Sequence, residues 1–295
     1  MRVRELFLPH YVFRPTQAVR RLGRRLRRPS TGALTVTLPW GAPIRCRAQD
    51  VIGLSLQQLG VFELGVSEAL WRLTDPGELA VDVGANIGQI TAILAHRVGA
   101  RGRVMAFEPN AQVCADLQHN VAVWRMRGAR IEVHAVALSD REGEEFLILP
   151  AFYEWNQGTA FIGPGPGAGS GDEQMKVTLS ILDRFLAGGE RAGVLKLDVD
   201  GHEAAVLRGA LQVLAEHRVR DVVYESHAGY PDESSAVLED AGYQVYAVGS
   251  GFWGPRCRPA HLGPIAAPWD SPSYLATLEP QRAMDRLQPR GWSVL

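Results

Sequence analysis

Leu79-Ala-Val-Asp-Val-Gly-Ala-Asn-Ile-Gly88, followed by Gln-Ile-Thr-Ala-Ile-Leu-Ala-His96, is the stretch that decides the fold. Leu79 to Val83 is an apolar run of the length a buried parallel strand needs. Asp82 is its one acid. Gly84-x-Asn86-x-Gly88 then turns the chain, and Ile87, Ile90, Ile93 and Leu94 recur at helical spacing. Strand, glycine turn and helix in that order bring backbone N–H groups and a helix N-terminus up to a ligand, because no Cβ stands in the way. The acid at the strand end would accept from hydroxyl or ammonium groups. The stretch therefore reads as the nucleotide end of a cofactor site.

The same alternation continues outward. Strands are expected at 104–107, 131–136, 144–149, 175–180, 193–199, 219–224 and 243–248, with a last one at 274–278. Helices are expected at 87–98, about 110–125, 203–215 and 234–241, with a short one from 181 to 186. Such alternation predicts an α/β fold with a doubly wound, mostly parallel sheet, whose ligands bind beyond the carboxyl ends of the strands. Upstream, 34–38 and 44–47 read as a hairpin across Pro39-Trp-Gly-Ala-Pro43. Residues 1–30 form a basic arm, 31–76 a lead-in, 77–280 the main domain and 281–295 a tail. No internal repeat and no second domain is legible.

Composition narrows the function classes. The chain has 295 residues, 46% of them hydrophobic, and a net charge of −1. That balance suits an ordinary globular protein and points away from nucleic acid as a partner. The average hides Arg14, Arg20, Arg21, Arg24, Arg25, Arg27 and Arg28, which sit in the arm with no acid among them. They suit a solvated arm, or peripheral contact with an anionic lipid surface or RNA. Cys46, Cys114 and Cys257 are too scattered for a disulfide framework, and a cytoplasmic setting is expected. No apolar run approaches the ~18–20 residues of a membrane span.

Strand-end residues then carry the chemistry. Glu108 follows Gly88 by about twenty residues, the place of an acid that accepts from a ribose diol. The third glycine of a dinucleotide fingerprint is missing, which counts against a nicotinamide cofactor, as does the lack of a Tyr-x-x-x-Lys pair. Asp198 and Asp200 share strand parity, and Glu225 and His227 repeat that spacing at the end of the following strand. Together they suit either a general base of raised pKa or a hard divalent metal such as Mg²⁺. Glu203 also suits the first turn of a helix, where an acid complements the macrodipole. His134 reads as structural. Phe152, Tyr153 and Trp155 suit either a cover over an acceptor pocket or a packed loop.

Taken together, Val81-Asp-Val-Gly-Ala-Asn-Ile-Gly88, Ala106-Phe-Glu-Pro-Asn110, Ala135-Val-Ala-Leu-Ser-Asp140, Thr178-Leu-Ser-Ile-Leu-Asp183 and Leu195-Lys-Leu-Asp-Val-Asp-Gly-His-Glu203 resemble the FkbM family of S-adenosylmethionine-dependent methyltransferases. The resemblance runs from about residue 50 to 250. It departs at Asp200, where the family usually carries Glu. It implies a class I Rossmann-like methyltransferase fold with an N-terminal extension, acting most often on a hydroxyl of a small molecule or sugar. By position, Asp82, Gly84, Ala85, Asn86 and Gly88 would hold the methionine part of S-adenosylmethionine. Glu108 and Asn110 would take the ribose, and Ala137 and Leu138 would flank the adenine. Asp198 or His202 would act as base, with Asp200 supporting it. A metal, where one takes part, would fall to Asp198, Asp200, Glu225 and His227. An RNA methyltransferase using the arginine arm and a nicotinamide oxidoreductase are the rival readings.

Overall fold

The computed structural model describes residues 8–25, 32–125, 128–150, 159–163, 172–266 and 272–295. The aromatic stretch at 152–155 and the glycine run at 164–171 lie outside these residues.

Helices α1 (Pro9–Val12) and α2 (Pro15–Arg25) form the arm. Strands β1 (Ala33–Thr37) and β2 (Pro43–Arg47) make the expected antiparallel hairpin, with Leu34 opposite Cys46. Two helices follow, α3 (Val51–Gln58) and α4 (Leu64–Leu73). Asp50 caps α3 by accepting from the backbone of Ile52 and Gly53.

The main body then runs β3 (Leu79–Val83), α5 (Gln89–Val98), β4 (Arg103–Phe107), α6 (Ala111–Arg125) and β5 (Ile131–His134). Next come β6 (Ala137–Leu138), β7 (Gly143–Leu149), β8 (Phe161–Gly163) and β9 (Glu173–Ser180). After α7 (Leu182–Phe185) the chain forms β10 (Ala192–Leu197), α8 (Glu203–Arg208), α9 (Leu211–Ala215), β11 (Val219–Glu225) and α10 (Glu233–Asp240). It finishes with β12 (Gln244–Ser250), β13 (Pro255–Pro259), β14 (Ser273–Thr277) and α11 (Pro280–Leu287).

Among the described residues, eight strands make the central sheet in the order β13-β12-β14-β11-β10-β3-β4-β5. Pairings from β11 through β5 are parallel, and those among β11, β14, β12 and β13 are antiparallel. Strand order reverses between β3 and β10: β4 and β5 extend one way, β11 the other. That reversal opens a crevice beyond the carboxyl ends of β3 and β10. A smaller sheet, β6-β9-β7-β8, sits apart.

Side-chain parity sorts β3 and β10 onto two cores. Val81, Val83, Leu195 and Leu197 join Val206, Leu207 and Leu214 on one face. Ala80 and Val194 join Leu70, Leu73, Ile93 and Leu94 on the other. Each fully buried Leu or Ile contributes about 1.5–3 kcal/mol, so core packing holds both faces of the sheet behind this crevice.

Two expectations change. The helix foreseen over 203–215 is broken at Gly209, where a Cβ would lie 1.8 Å from the Ser139 carbonyl oxygen, so α8 and α9 are separate. The stretch read as a tail is part of the body. Buried Glu68 of α4 accepts from the backbone N–H of Ser293 and Val294 and from Arg72, and α11 buries Ala283 and Leu287. Apolar periodicity could not signal this, because the anchor is a buried carboxylate more than two hundred residues away.

Candidate active site

The turn after β3 is built around two glycines. Gly84 has φ +73°, and a Cβ there would stand 1.9 Å from the Asp198 carbonyl oxygen. Only glycine lets the β3 and β10 exits approach so closely. Gly88 has φ +95° at the N-cap of α5, and a Cβ there would meet Leu117 and Trp124. Gly88 is thus a packing glycine. The turn's N–H groups are not free for a ligand, as the sequence led us to expect. Those of Gly84 and Ala85 donate to the Phe107 carbonyl, that of Asn86 to Glu108 Oε2, and that of Ile87 to Asn86 Oδ1. The turn offers close backbone approach and a fixed shape.

Glu108, just past β4, is nearly buried. Its Oε2 accepts from the Asn86 N–H at 3.0 Å and its Oε1 from the Asn110 N–H at 2.9 Å. Burial pushes its carboxyl up to about 7, against the two N–H groups, which favour the charged form. Each oxygen keeps a lone pair for another donor. Asn110 itself turns away and accepts from the Gln112 and Val113 N–H groups at the start of α6.

Asp82 is fully buried and takes no part in the cavity surface. Its Oδ2 accepts from Thr91 Oγ1 at 2.5 Å. Its Oδ1 lies 3.7 Å from Lys196 Nζ, across the β3–β10 pair where these two residues are in register. Lys196 was not foreseen as a site residue. Its ammonium donates to the Gly84 carbonyl at 2.8 Å and lies 3.3 Å from Asp198 Oδ2. Burial works against the charge of Lys196, but Asp198 and Asp82 outweigh it and raise its pKa. A lone Lys inside an otherwise apolar strand, level with a lone Asp in the neighbouring strand, was the signal available for it.

Beyond Leu197 the chain leaves the strand. Asp200 takes φ +48°, and the turn is closed by Glu203 Oε1, which accepts from the Val199 and Gly201 N–H groups. Glu203 therefore shapes the turn that presents Asp200. Asp200 Oδ1 lies 3.5 Å from His227 Nε2, and the same nitrogen lies 3.7 Å from Glu225 Oε1. Burial, then Asp198 and Glu225, drive the Asp200 carboxyl up to about 7, with His227 opposing. His202 sits apart from that group, 2.9 Å from Ser139 Oγ, and burial lowers its pKa.

One cavity of about 1440 Å³ gathers these groups. Gly84, Ala85, Asn86, Glu108, Ala137, Leu138, Asp198, Asp200, His202, Glu225 and His227 all line it. Of the residues singled out from sequence, Asp82, Gly88 and Asn110 stay behind its wall. Glu63, which precedes α4 with φ +48°, was missed and also lines it. Among the described residues, the acids able to share one metal ion are Glu63, Asp198 and Glu225, within 4.8 Å of one another. Asp200 and His227 are paired beside that group. The mutually close set thus differs from the one expected from sequence: Glu63 joins Asp198 and Glu225, while Asp200 and His227 fall outside it.

Residues 82–245 match the Methyltransferase FkbM domain. The chain belongs to the FkbM methyltransferase family. That membership removes the nicotinamide oxidoreductase reading. Two curated relatives are similar to this FkbM chain. Over 202 residues it is 28% identical to the hexuronic acid methyltransferase AglP of Haloferax volcanii, covering 65% of this chain and 68% of AglP. Over 256 residues it is 29% identical to the AMB antimetabolite synthetase AmbE of Pseudomonas aeruginosa, covering 72% of this chain and 12% of AmbE. The chain thus spans about an eighth of AmbE. Among solved structures, the FkbM methyltransferase of Methylobacillus flagellatus KT aligns with 77% of this chain and 56% of its own, at 17% identity and a TM-score of 0.43.

Proposed function

We propose that this FkbM methyltransferase binds S-adenosylmethionine in the cavity beyond β3 and β10 and methylates a hydroxyl oxygen of a small molecule or sugar. The observation carrying this reading is that Glu108 and the Asp198–Asp200–Glu225–His227 group line one cavity from the two sides of the strand-order reversal. The residues fit the cofactor. Glu108 presents a carboxylate edge whose spare lone pairs suit two ribose hydroxyls. Gly84 and Ala85 leave the floor without bulk, and Ala137 and Leu138 give an apolar flank for adenine.

S-adenosylmethionine supplies an activated methyl on a sulfonium whose charge disappears on transfer. The protein has then to align an acceptor oxygen with that methyl and remove one proton. We assign proton removal to Asp200, whose pKa of about 7 suits a base working near neutrality. The acceptor O–H proton passes to its carboxylate, and half-exposed His227 relays it toward solvent. Asp198, paired with Lys196, fixes the geometry of the β10 exit and faces the acceptor. Arg256 and Arg258 of β13 line the same cavity. They suit an acceptor that also carries a carboxylate, as a hexuronic acid does.

A second reading places a divalent cation such as Mg²⁺ on Glu63, Asp198 and Glu225, whose oxygens are close enough to share it. The ion would orient the acceptor hydroxyl. Lys196 already neutralises Asp198, which favours the cation-free form. Methyl transfer to a panel of hexuronic acids and neutral sugars, with EDTA and with added Mg²⁺, tests both. Activity that survives EDTA upholds the first form, and activity that needs Mg²⁺ upholds the second.

A further inference from the structure

We propose that the N-terminal arm and the Phe252–Trp253 corner form a docking surface for an anionic lipid bilayer. Exposed large apolar side chains concentrate there. Leu8, Val12, Val19 and Leu22 of the arm are exposed, Val19 by 71%. Phe13, between α1 and α2, packs edge-on against Phe252 and Trp253 with centroids 6.3 and 6.0 Å away. Trp253 remains 59% exposed. Apolar side chains on a basic surface helix are the pattern of an interfacial anchor.

The inner face of the arm is already committed to the protein. Tyr11 donates to the Gln58 carbonyl at 3.0 Å and Gln17 to the Gln57 carbonyl at 3.2 Å. The Arg21 guanidinium lies over the Tyr11 ring, 5.6 Å from its centroid. Val12, Val19 and Leu22 are left outward. Charge selects the occupant. Between Glu5 and the start of β1 at Ala33 the chain has seven arginines and neither an acid nor a lysine. An anionic headgroup layer complements that charge while its acyl boundary takes the aliphatic side chains. RNA would use the charge and the exposed Trp253 but leave Val12, Val19 and Leu22 uncovered, since aliphatic side chains stack on no base. His10 of α1 lines the catalytic cavity, as do Val51 and Ser55 of α3, against which the arm packs. Docking therefore sets one wall of the cavity beside the bilayer.

Flotation of the full chain with phosphatidylcholine vesicles, with and without phosphatidylglycerol, tests the surface. Binding is expected only to the anionic vesicles, to weaken in high salt, and to fall about tenfold or more in Val19→Glu/Leu22→Glu. Trp253→Ala should weaken it separately. Circular dichroism of the variants must match the parent, as exposed positions allow. Any of these results overturns the proposal: a full chain that stays off anionic vesicles, vesicle binding that Val19→Glu/Leu22→Glu leaves unchanged, or a soluble dimer dissolved by that double substitution in a chain that ignores vesicles. Tight RNA binding without vesicle binding overturns it equally.

Discussion

Lys196 and Asp82 face each other in register on the two strands at the reversal point, and the Lys196 ammonium also holds the Gly84 carbonyl and the Asp198 carboxylate. One buried cation thus ties the turn after β3 to the exit of β10. Lys196→Met leaves Asp82 buried without its counter-charge. Breaking such a pair costs about 3–5 kcal/mol, and removing both charges costs much less. Denaturant titration should show a large loss for Lys196→Met and partial recovery in Asp82→Asn/Lys196→Met.

With Glu108 holding the ribose, as proposed, cofactor binding depends on pH. Burial pushes the Glu108 carboxyl up to about 7, and only the ionised form offers both oxygens as acceptors to two ribose hydroxyls. Affinity for S-adenosylmethionine should rise several-fold as pH increases through 7, and Glu108→Gln should abolish that slope. Calorimetry at several pH values checks both. Stability runs the other way. The folded-state pKa lies above the unfolded one, so the folded state keeps a proton that the unfolded chain loses. The contribution of Glu108 to stability is therefore full below about pH 4.5 and lost as pH rises toward 7. Relative to the parent, Glu108→Gln should gain about 3 kcal/mol of stability between those limits.

Asp200 as base predicts that kcat rises with pH through about 7, the value to which its surroundings drive it. Asp200→Asn should lower kcat by about 10²–10⁴-fold with S-adenosylmethionine affinity nearly unchanged. His202→Ala should change kcat far less, because its ring is engaged with Ser139. Steady-state kinetics with calorimetry separate the two residues.

Arg256 predicts acceptor selectivity. It lines the cavity, and under the proposed reading it meets the acceptor carboxylate. Arg256→Ala should raise KM for a hexuronic acid about tenfold, the loss of one charge-assisted contact. KM for the matching neutral sugar should stay the same. Equal effects on both acceptors contradict that role.

The alternation from Leu79 to Val248 was legible because buried parallel strands read as apolar runs and the helices between them keep their own period. The acids at the strand ends were legible for a related reason: Glu108, Asp198 and Glu225 interrupt or end such runs. What the sequence concealed depends on direction and on distant partners. Nothing local shows that Asp82 turns to Thr91 and Lys196, or that the turn's N–H groups are taken by Phe107 and Glu108. Glu63 sits in an irregular link before α4, where no period marks it. β13, bounded by prolines in a Pro- and Gly-rich stretch, and α11, with its charged outer face, lack the patterns that single out core elements.

Methyl transfer is the most direct test of the cavity's chemistry. The purified chain is incubated with S-adenosylmethionine labelled in its methyl group and a hexuronic acid, and products are followed by mass spectrometry. Label recovered as a methyl ether on an acceptor hydroxyl, matched by S-adenosylhomocysteine and lost in Asp200→Asn, is the expected result. A chain that binds no S-adenosylmethionine at millimolar concentration, or that transfers the methyl undiminished in Asp200→Asn, contradicts the site described above.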